Sequence, residues 1–187
     1  MSILKPETVE KIQTKHHKLT GIKPEIFLET GTYLAKSIRA VYHLFREAYT
    51  IELANELYRD AINKYAHLGI HFHHGDSKIM LREIAEGFHE PVFFYLDAHA
   101  FGRKEVAIDS PFPLWDEIEY ISSRGLADVV LVDDVHAWGC PAELGTTGEE
   151  FLDWESVTKK RVLKSLGGIA AGSYILDDAF VIHLGAK

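Results

Sequence analysis

The chain is poor in the elements that would staple or anchor a protein. It has one cysteine, Cys140, in 187 residues. That excludes an internal disulfide framework and a cysteine-based zinc cage. The N-terminal stretch has no apolar signal core, and no run approaches the 18 apolar residues of a membrane span. The expected setting is therefore cytoplasmic, with no membrane partner. Basic residues are also in deficit, 20 against 28 acidic, for a formal net charge of −8. An acidic globule is a poor binder of phosphate backbones, so no nucleic-acid partner is expected. Hydrophobic residues reach 47 %, enough to build a core and too many for a disordered chain.

Strand and helix patterns alternate from one end to the other, with no repeat and no linker, so residues 1–187 read as one domain. Short apolar runs at 25–32, 48–53 and 70–76 read as strands. The continuous apolar runs at 91–99 and 128–136 read as strands buried on both faces. Helical spacing appears at 5–19, 34–46, 54–69, 77–87, 114–125 and 149–166, and residues 173–184 read as a hairpin turning at Asp177-Asp178. Alternation of this kind predicts a doubly wound, mostly parallel sheet with helices on both faces. Ligands of such sheets bind beyond the carboxyl ends of the strands, so those ends carry the functional information.

The first run ends in Glu29-Thr30-Gly31-Thr32 and the second in Glu52. A glycine after the first strand lets backbone approach a ligand. An acid about 20 residues further on is the usual acceptor for two ribose hydroxyls. Glu52 can equally serve the helix that follows it. The third run ends in Gly75-Asp76-Ser77, where Asp76 could accept from an exocyclic amine or simply cap a helix. The fourth and fifth end in Asp97-Ala98-His99 and Asp133-Asp134-Val135-His136. Each feature alone has a structural explanation. Their coincidence at consecutive strand ends points to a nucleotide-like cofactor.

The segments ETGTYLAKS, YTIELANELY, GDS, FFYLDAH, PLWDEIEYI and VVLVDD resemble class I S-adenosylmethionine (SAM)-dependent methyltransferases. The similarity is strongest to a subgroup with Glu-Thr-Gly-Thr in its first motif and Leu-Asp-Ala-His on its fourth strand. It covers residues 25–136, and the terminal hairpin suits the last strands of that fold. The resemblance implies a Rossmann-like seven-stranded sheet with the last strand antiparallel. It also implies SAM as cofactor, held by Glu29, Thr30, Gly31, Thr32, Tyr33 and Ser37 around the methionine end. Glu52 with neighbouring Leu53 would hold the ribose, Asp76 and Ser77 the adenine, and Asp97 would face the sulfonium. The usual three-glycine pattern survives only at Gly31; Tyr33 and Ala35 stand at the other places.

Asp97, Asp133 and Asp134 further resemble the acids of magnesium-dependent sugar O-methyltransferases of antibiotic biosynthesis, which implies Mg²⁺ bound by those three. Hard Mg²⁺ takes carboxylate oxygens and would acidify an acceptor hydroxyl. Without a metal, Asp97, His99 or His136 could act as general base. The expected function is O-methylation of a saccharide or other small molecule. A nicotinamide-dependent oxidoreductase and a non-catalytic SAM-binding module are the alternatives. Either terminal element could pair with another copy, so a homodimer is an open expectation.

Among the 11 histidines, His71 and His73 alternate onto one face of the third strand, with His74 on the other. Polar side chains there fit an edge strand better than a metal cluster. Trp115, Trp138, Trp154 and Phe101 fall in or near loops at the functional edge, where core packing is the commoner use of an aromatic and sugar stacking the rarer. Cys140 reads as an inert thiol.

Overall fold

A computed structural model of the chain describes residues 3–98, 113–140 and 154–186. Seven strands form one sheet: β1 (Ile26–Thr30), β2 (Glu47–Glu52), β3 (His71–His74), β4 (Val92–Leu96), β5 (Val129–Val132), β6 (Ala170–Leu176) and β7 (Ala179–Leu184). Their order is β3-β2-β1-β4-β5-β7-β6. The pairings are parallel through β5, and β7 runs antiparallel between β5 and β6. Among the described residues six α-helices accompany them: α1 (Pro6–Thr20), α2 (Lys36–Val41), α3 (Asn55–Tyr65), α4 (Ser77–Ala85), α5 (Leu114–Arg124) and α6 (Lys159–Ser165).

Strand alternation divides the core into two layers. On one face Leu28, Phe94, Leu96, Val130, Val132 and Ile182 pack with Leu81 of α4, Ile118 and Ile121 of α5 and Val162 of α6. On the other, Phe27, Phe93, Tyr95, Leu131 and Val181 pack with Val9 and Ile12 of α1, Ile38 and Val41 of α2 and Ala61 of α3. β1, β4 and β5 are buried at every position because helices cover both faces.

The sequence reading places the elements well and errs at boundaries. Residues 34–46 form a six-residue helix and a short 3-10 turn rather than one long helix. β6 begins at Ala170, three residues before the expected hairpin. Helix α6 begins only at Lys159, because Thr158 accepts from the Arg161 N–H at 3.1 Å and caps it there; the expected start at 149 lies outside the described residues. β3 is indeed an edge strand, and His71 and His73 both stack on Tyr49. Trp115 and Trp138 pack against the first core layer. No helix among the described residues is long and apolar enough to cross a membrane.

Candidate active site at the carboxyl edge of the sheet

Strand register brings the predicted residues to one edge. Thr30 pairs with Ile51 on one side and Leu96 on the other, and Leu96 pairs with Val132. The next residues along each strand are Gly31, Glu52, Asp97 and Asp133, so these stand in a row.

Gly31 has φ +84, and a Cβ there would lie 2.5 Å from the Asp97 carbonyl oxygen. Only glycine lets the loop after β1 pass over the end of β4. The loop then holds Tyr33 at φ 46 and Ala35 at φ 55. Both positions lack the expected glycine and keep the left-handed backbone that glycine would supply. Such backbone in a non-glycine residue costs about 1–2 kcal/mol. It is held by Glu52, which is 7 % exposed. Its Oε2 accepts from the Tyr33 N–H at 2.7 Å and its Oε1 from the Ala54 N–H at 2.8 Å. Glu52 therefore ties the first loop to the entrance of α3, and a carboxylate so used still has acceptor sites for a diol.

Glu29 lies beneath that loop. Thr32 and Thr50 hydroxyls are 2.6 Å apart, and Thr50 Oγ1 donates to Glu29 Oε2 at 2.8 Å. Since Thr50 gives its proton to Glu29, Thr32 must donate to Thr50. Burial pushes the Glu29 carboxyl up to about 8. Ser37, on α2 behind this loop, accepts from the Leu4 N–H at 3.2 Å, so it ties the N-terminal segment down. Leu53 offers its carbonyl oxygen to His74 Nε2 at 3.1 Å. Asp76 caps α4: its Oδ1 accepts from the Lys78 N–H at 3.0 Å, and Lys78 Nζ lies 3.4 Å from Oδ2. Ser77 follows as the first residue of that helix and is buried.

Asp97 donates its N–H to the Thr30 carbonyl at 3.1 Å. Burial, then the charges of Asp133, Glu29 and Asp134, push its carboxyl up to about 9. Asp133 Oδ2 accepts from the Tyr95 hydroxyl at 2.7 Å, and burial raises that phenol far above its ordinary range. Asp134 is buried with φ 55. It faces a partner supplied by the β6–β7 turn, Asp178, through His136. His136 donates its backbone N–H to Asp178 Oδ1 at 3.0 Å, its Nδ1 is 2.5 Å from Asp178 Oδ2, and that same nitrogen lies 3.9 Å from Asp134.

This changes the metal expectation. Among the described residues, the cluster whose ligand atoms lie close enough to share one ion is Asp134, His136 and Asp178; the expected trio of Asp97, Asp133 and Asp134 does not gather in that way. Imidazole with two carboxylates suits first-row transition metals better than Mg²⁺. His99 lies outside the described residues, as does Phe101.

Glu117 of α5 was not anticipated. It is 2 % exposed, burial pushes its carboxyl up to about 7, and its Oε1 has no hydrogen-bond partner among the described residues. The signal was present in the sequence. Leu114, Glu117, Ile118 and Ile121 occupy one helical face, so an acid stands on an apolar stripe. Tyr95 and Thr50, both hidden in apolar strands, gave no comparable signal.

No protein-family profile matches the chain, and no curated protein does. Solved structures do. A S-adenosylmethionine-dependent methyltransferase from Clostridium acetobutylicum superposes with TM-score 0.55 at 10 % identity, over 98 % of this chain and 93 % of that one. The O-methyltransferase TomG from Streptomyces achromogenes, solved with SAM, gives 0.56 at 15 % identity, over 97 % and 80 %. An O-methyltransferase from Bacillus cereus, solved with S-adenosylhomocysteine (SAH), gives 0.56 at 15 % identity, over 98 % and 82 %. The chain therefore has the Rossmann-like methyltransferase fold, with the order 3-2-1-4-5-7-6 and an antiparallel seventh strand.

Proposed function

We propose that this protein is a SAM-dependent O-methyltransferase acting on a hydroxyl of a saccharide or other small molecule. One observation carries the reading. The carboxyl edge holds a row of acids, Glu29, Asp97, Asp133 and Asp134, close enough that the last two and Glu29 raise the pKa of Asp97. Such a row repels the pyrophosphate of a nicotinamide dinucleotide and attracts a cation. S-adenosylmethionine supplies, when bound, an electrophilic methyl on a cationic sulfur, beside a cationic ammonium. The residues present fit it: Glu52 has acceptor capacity for the ribose diol, and Gly31, Tyr33 and Ala35 keep the turn that a methionine tail requires.

Asp97 serves two purposes in this reading. Its carboxylate neutralises positive charge at the strand end, and it takes the proton from the acceptor hydroxyl as that oxygen becomes nucleophilic. A nearby cation lowers its pKa from about 9 and so makes the base available. Tyr95 holds Asp133 oriented at its side. The loop after β1 positions the cofactor, and in-line alignment with the acceptor supplies much of the rate. No step is assigned to Mg²⁺, because the trio expected to bind it does not gather.

Calorimetric titration of SAM, SAH and NAD at pH 8 tests the assignment. SAM should bind and release protons, seen as a binding heat that depends on buffer ionisation enthalpy; NAD should not bind. Preferential NAD binding would defeat the proposal. Transfer of labelled methyl to a panel of sugars and phenols should then proceed in excess chelator. Loss of transfer on chelation, reversed by added Mg²⁺, would restore the metal to the mechanism.

A further inference from the structure

Asp134, His136 and Asp178 form a cluster that the proposed methyl transfer leaves unused. Asp134 follows β5, His136 lies in the 3-10 turn after it, and Asp178 sits in the turn between β6 and β7. One ligand atom from each lies within 4.8 Å of the other two. His136 Nδ1 is the hub, 2.5 Å from Asp178 Oδ2 and 3.9 Å from Asp134 Oδ1. A proton on Nδ1 bonds Asp178, and 3.9 Å is too long for it to bond Asp134 as well. Even a charged imidazolium would offset only one of the two carboxylates. A divalent ion bound to the neutral imidazole offsets both.

The geometry is that of ligands around one ion. Atoms bound to a common ion at about 2.0–2.2 Å stand roughly 3–3.5 Å apart. The observed 2.5 and 3.9 Å bracket that spacing. Supporting bonds are also in place. Asp178 Oδ1 accepts from the His136 backbone N–H at 3.0 Å, and the Asp178 carbonyl accepts from the Val135 N–H at 2.9 Å. The turn is thereby fixed against the chain that leaves β5, with Oδ2 aimed at the imidazole. Asp134 is buried, whereas the His136 side chain is 65 % exposed. An ion can therefore enter from solvent, and water can fill its remaining positions.

We propose that Asp134, His136 and Asp178 bind one divalent first-row transition-metal ion such as Zn²⁺, as a clip between the end of β5 and the β6–β7 turn. The imidazole selects against Mg²⁺, which takes oxygen ligands. His136 and Asp178 are 42 residues apart, so the clip closes a long loop, where a cross-link stabilises most. The ion takes no part in methyl transfer, and the proposal does not depend on the methyltransferase reading.

Co²⁺ serves as the coloured probe. Metal-free wild-type protein titrated with Co²⁺ should develop visible d–d absorption that saturates at about one equivalent. Zn²⁺ should displace the Co²⁺ and remove the colour, and excess Mg²⁺ should not. His136→Ala should lose Co²⁺ affinity by roughly tenfold or more. Asp178→Asn, which keeps an acceptor for the His136 N–H, should lose it similarly and guards against a folding failure of the first variant. His73→Ala, at the opposite edge of the sheet, should bind as wild type does. Zn²⁺ should raise the melting temperature of wild type, read by circular dichroism, and leave that of His136→Ala unchanged. Absence of a Co²⁺ spectrum in wild type overturns the proposal. So does full Co²⁺ affinity in both His136→Ala and Asp178→Asn, which would mean adventitious binding elsewhere on the surface. Displacement of Co²⁺ by Mg²⁺ as readily as by Zn²⁺ overturns the choice of metal.

Discussion

At the amino edge of the sheet Asp128 is wholly buried, and Arg124, 4 % exposed, lies on it with Nε 3.0 Å from Oδ2. Asp128 Oδ1 also accepts from the Val92 N–H at 2.7 Å, and Arg124 donates to the carbonyls of Ala85 and Glu90 at 2.7 and 3.0 Å. Outside this pair, Arg46 gathers Glu25, Glu47 and Glu90 at the starts of β1, β2 and β4. Burial raises the Asp128 carboxyl, and Arg124 and the Val92 N–H work against it. At the carboxyl edge the carboxyls of Glu29, Asp97 and Glu117 are pushed up to about 8, 9 and 7 by burial and then by neighbouring acids, with no cation beside them among the described residues. One sheet thus treats buried charge in two ways. Where the chain only has to hold together, each buried charge meets its opposite. At the edge where the proposed function places the cofactor, acids are crowded, and under that proposal the unfavourable energy is recovered when a cation binds.

The largest effect should come from breaking the compensated edge. Arg124→Ala leaves Asp128 buried with its charge uncompensated and strips the carbonyls of Ala85, Phe88 and Glu90 of their donor. It should lower unfolding free energy in urea by about 3–5 kcal/mol. A loss below about 1 kcal/mol would mean that the pair is no more than a surface ion pair.

At the other edge, Glu52→Ala should cost about 1–3 kcal/mol in SAM affinity, or roughly five- to 150-fold, read by calorimetry on the folded variant. Unaltered affinity would reduce Glu52 to a tie between the first loop and α3.

The raised carboxyls of the carboxyl edge and the histidine pair of the amino edge should respond to pH in opposite directions. The raised carboxyls bind protons more tightly folded than unfolded. Their contribution is complete below an ordinary carboxyl pKa of about 4 and is lost as pH rises toward 8 or 9. The amino edge holds a buried histidine pair, His16 and His183, with Nδ1 atoms 3.2 Å apart. His16 Nε2 donates to the Ala127 carbonyl at 2.9 Å, so its Nδ1 accepts and His183 Nδ1 donates. Burial depresses both, His183 to about 4. Their contribution is complete above about 6.5 and is lost as pH falls toward 4. Melting temperature should therefore peak at about pH 6. Asp97→Asn should stabilise the protein at pH 8 by about 1–3 kcal/mol and flatten the alkaline limb alone. Equal flattening of both limbs would contradict this division of labour.

The smallest effect tests the strain in the cofactor loop. Tyr33→Gly should raise stability by about 1 kcal/mol, because glycine adopts φ 46 without a Cβ clash. A destabilised variant would show that the exposed Tyr33 ring contributes more by contact than its backbone costs.

Period and composition were enough to give the strands, the helices and the identity of the strand-end residues, because those are local properties of the chain. Five buried or half-buried apolar runs, each ending in small or acidic residues, already implied a parallel sheet with a site at its carboxyl edge. Glu29, Gly31, Glu52 and Asp97 were legible there for that reason. Tertiary structure decided everything that depended on distant partners. The Tyr95–Asp133 bond joins residues 38 apart, the His136–Asp178 contact 42, and the His16–His183 pair 167. It also decided that Asp76 spends one oxygen capping α4, that Tyr33 and Ala35 take glycine's backbone, and that the ligand atoms close enough to share one ion belong to Asp134, His136 and Asp178. Glu117 lies between the two: its misplaced charge was visible on the helical stripe, but only the tertiary structure shows that its Oε1 is buried with no hydrogen-bond partner among the described residues. A one-dimensional pattern specifies which face a residue occupies; what it meets there is set by elements that the chain brings back from far away.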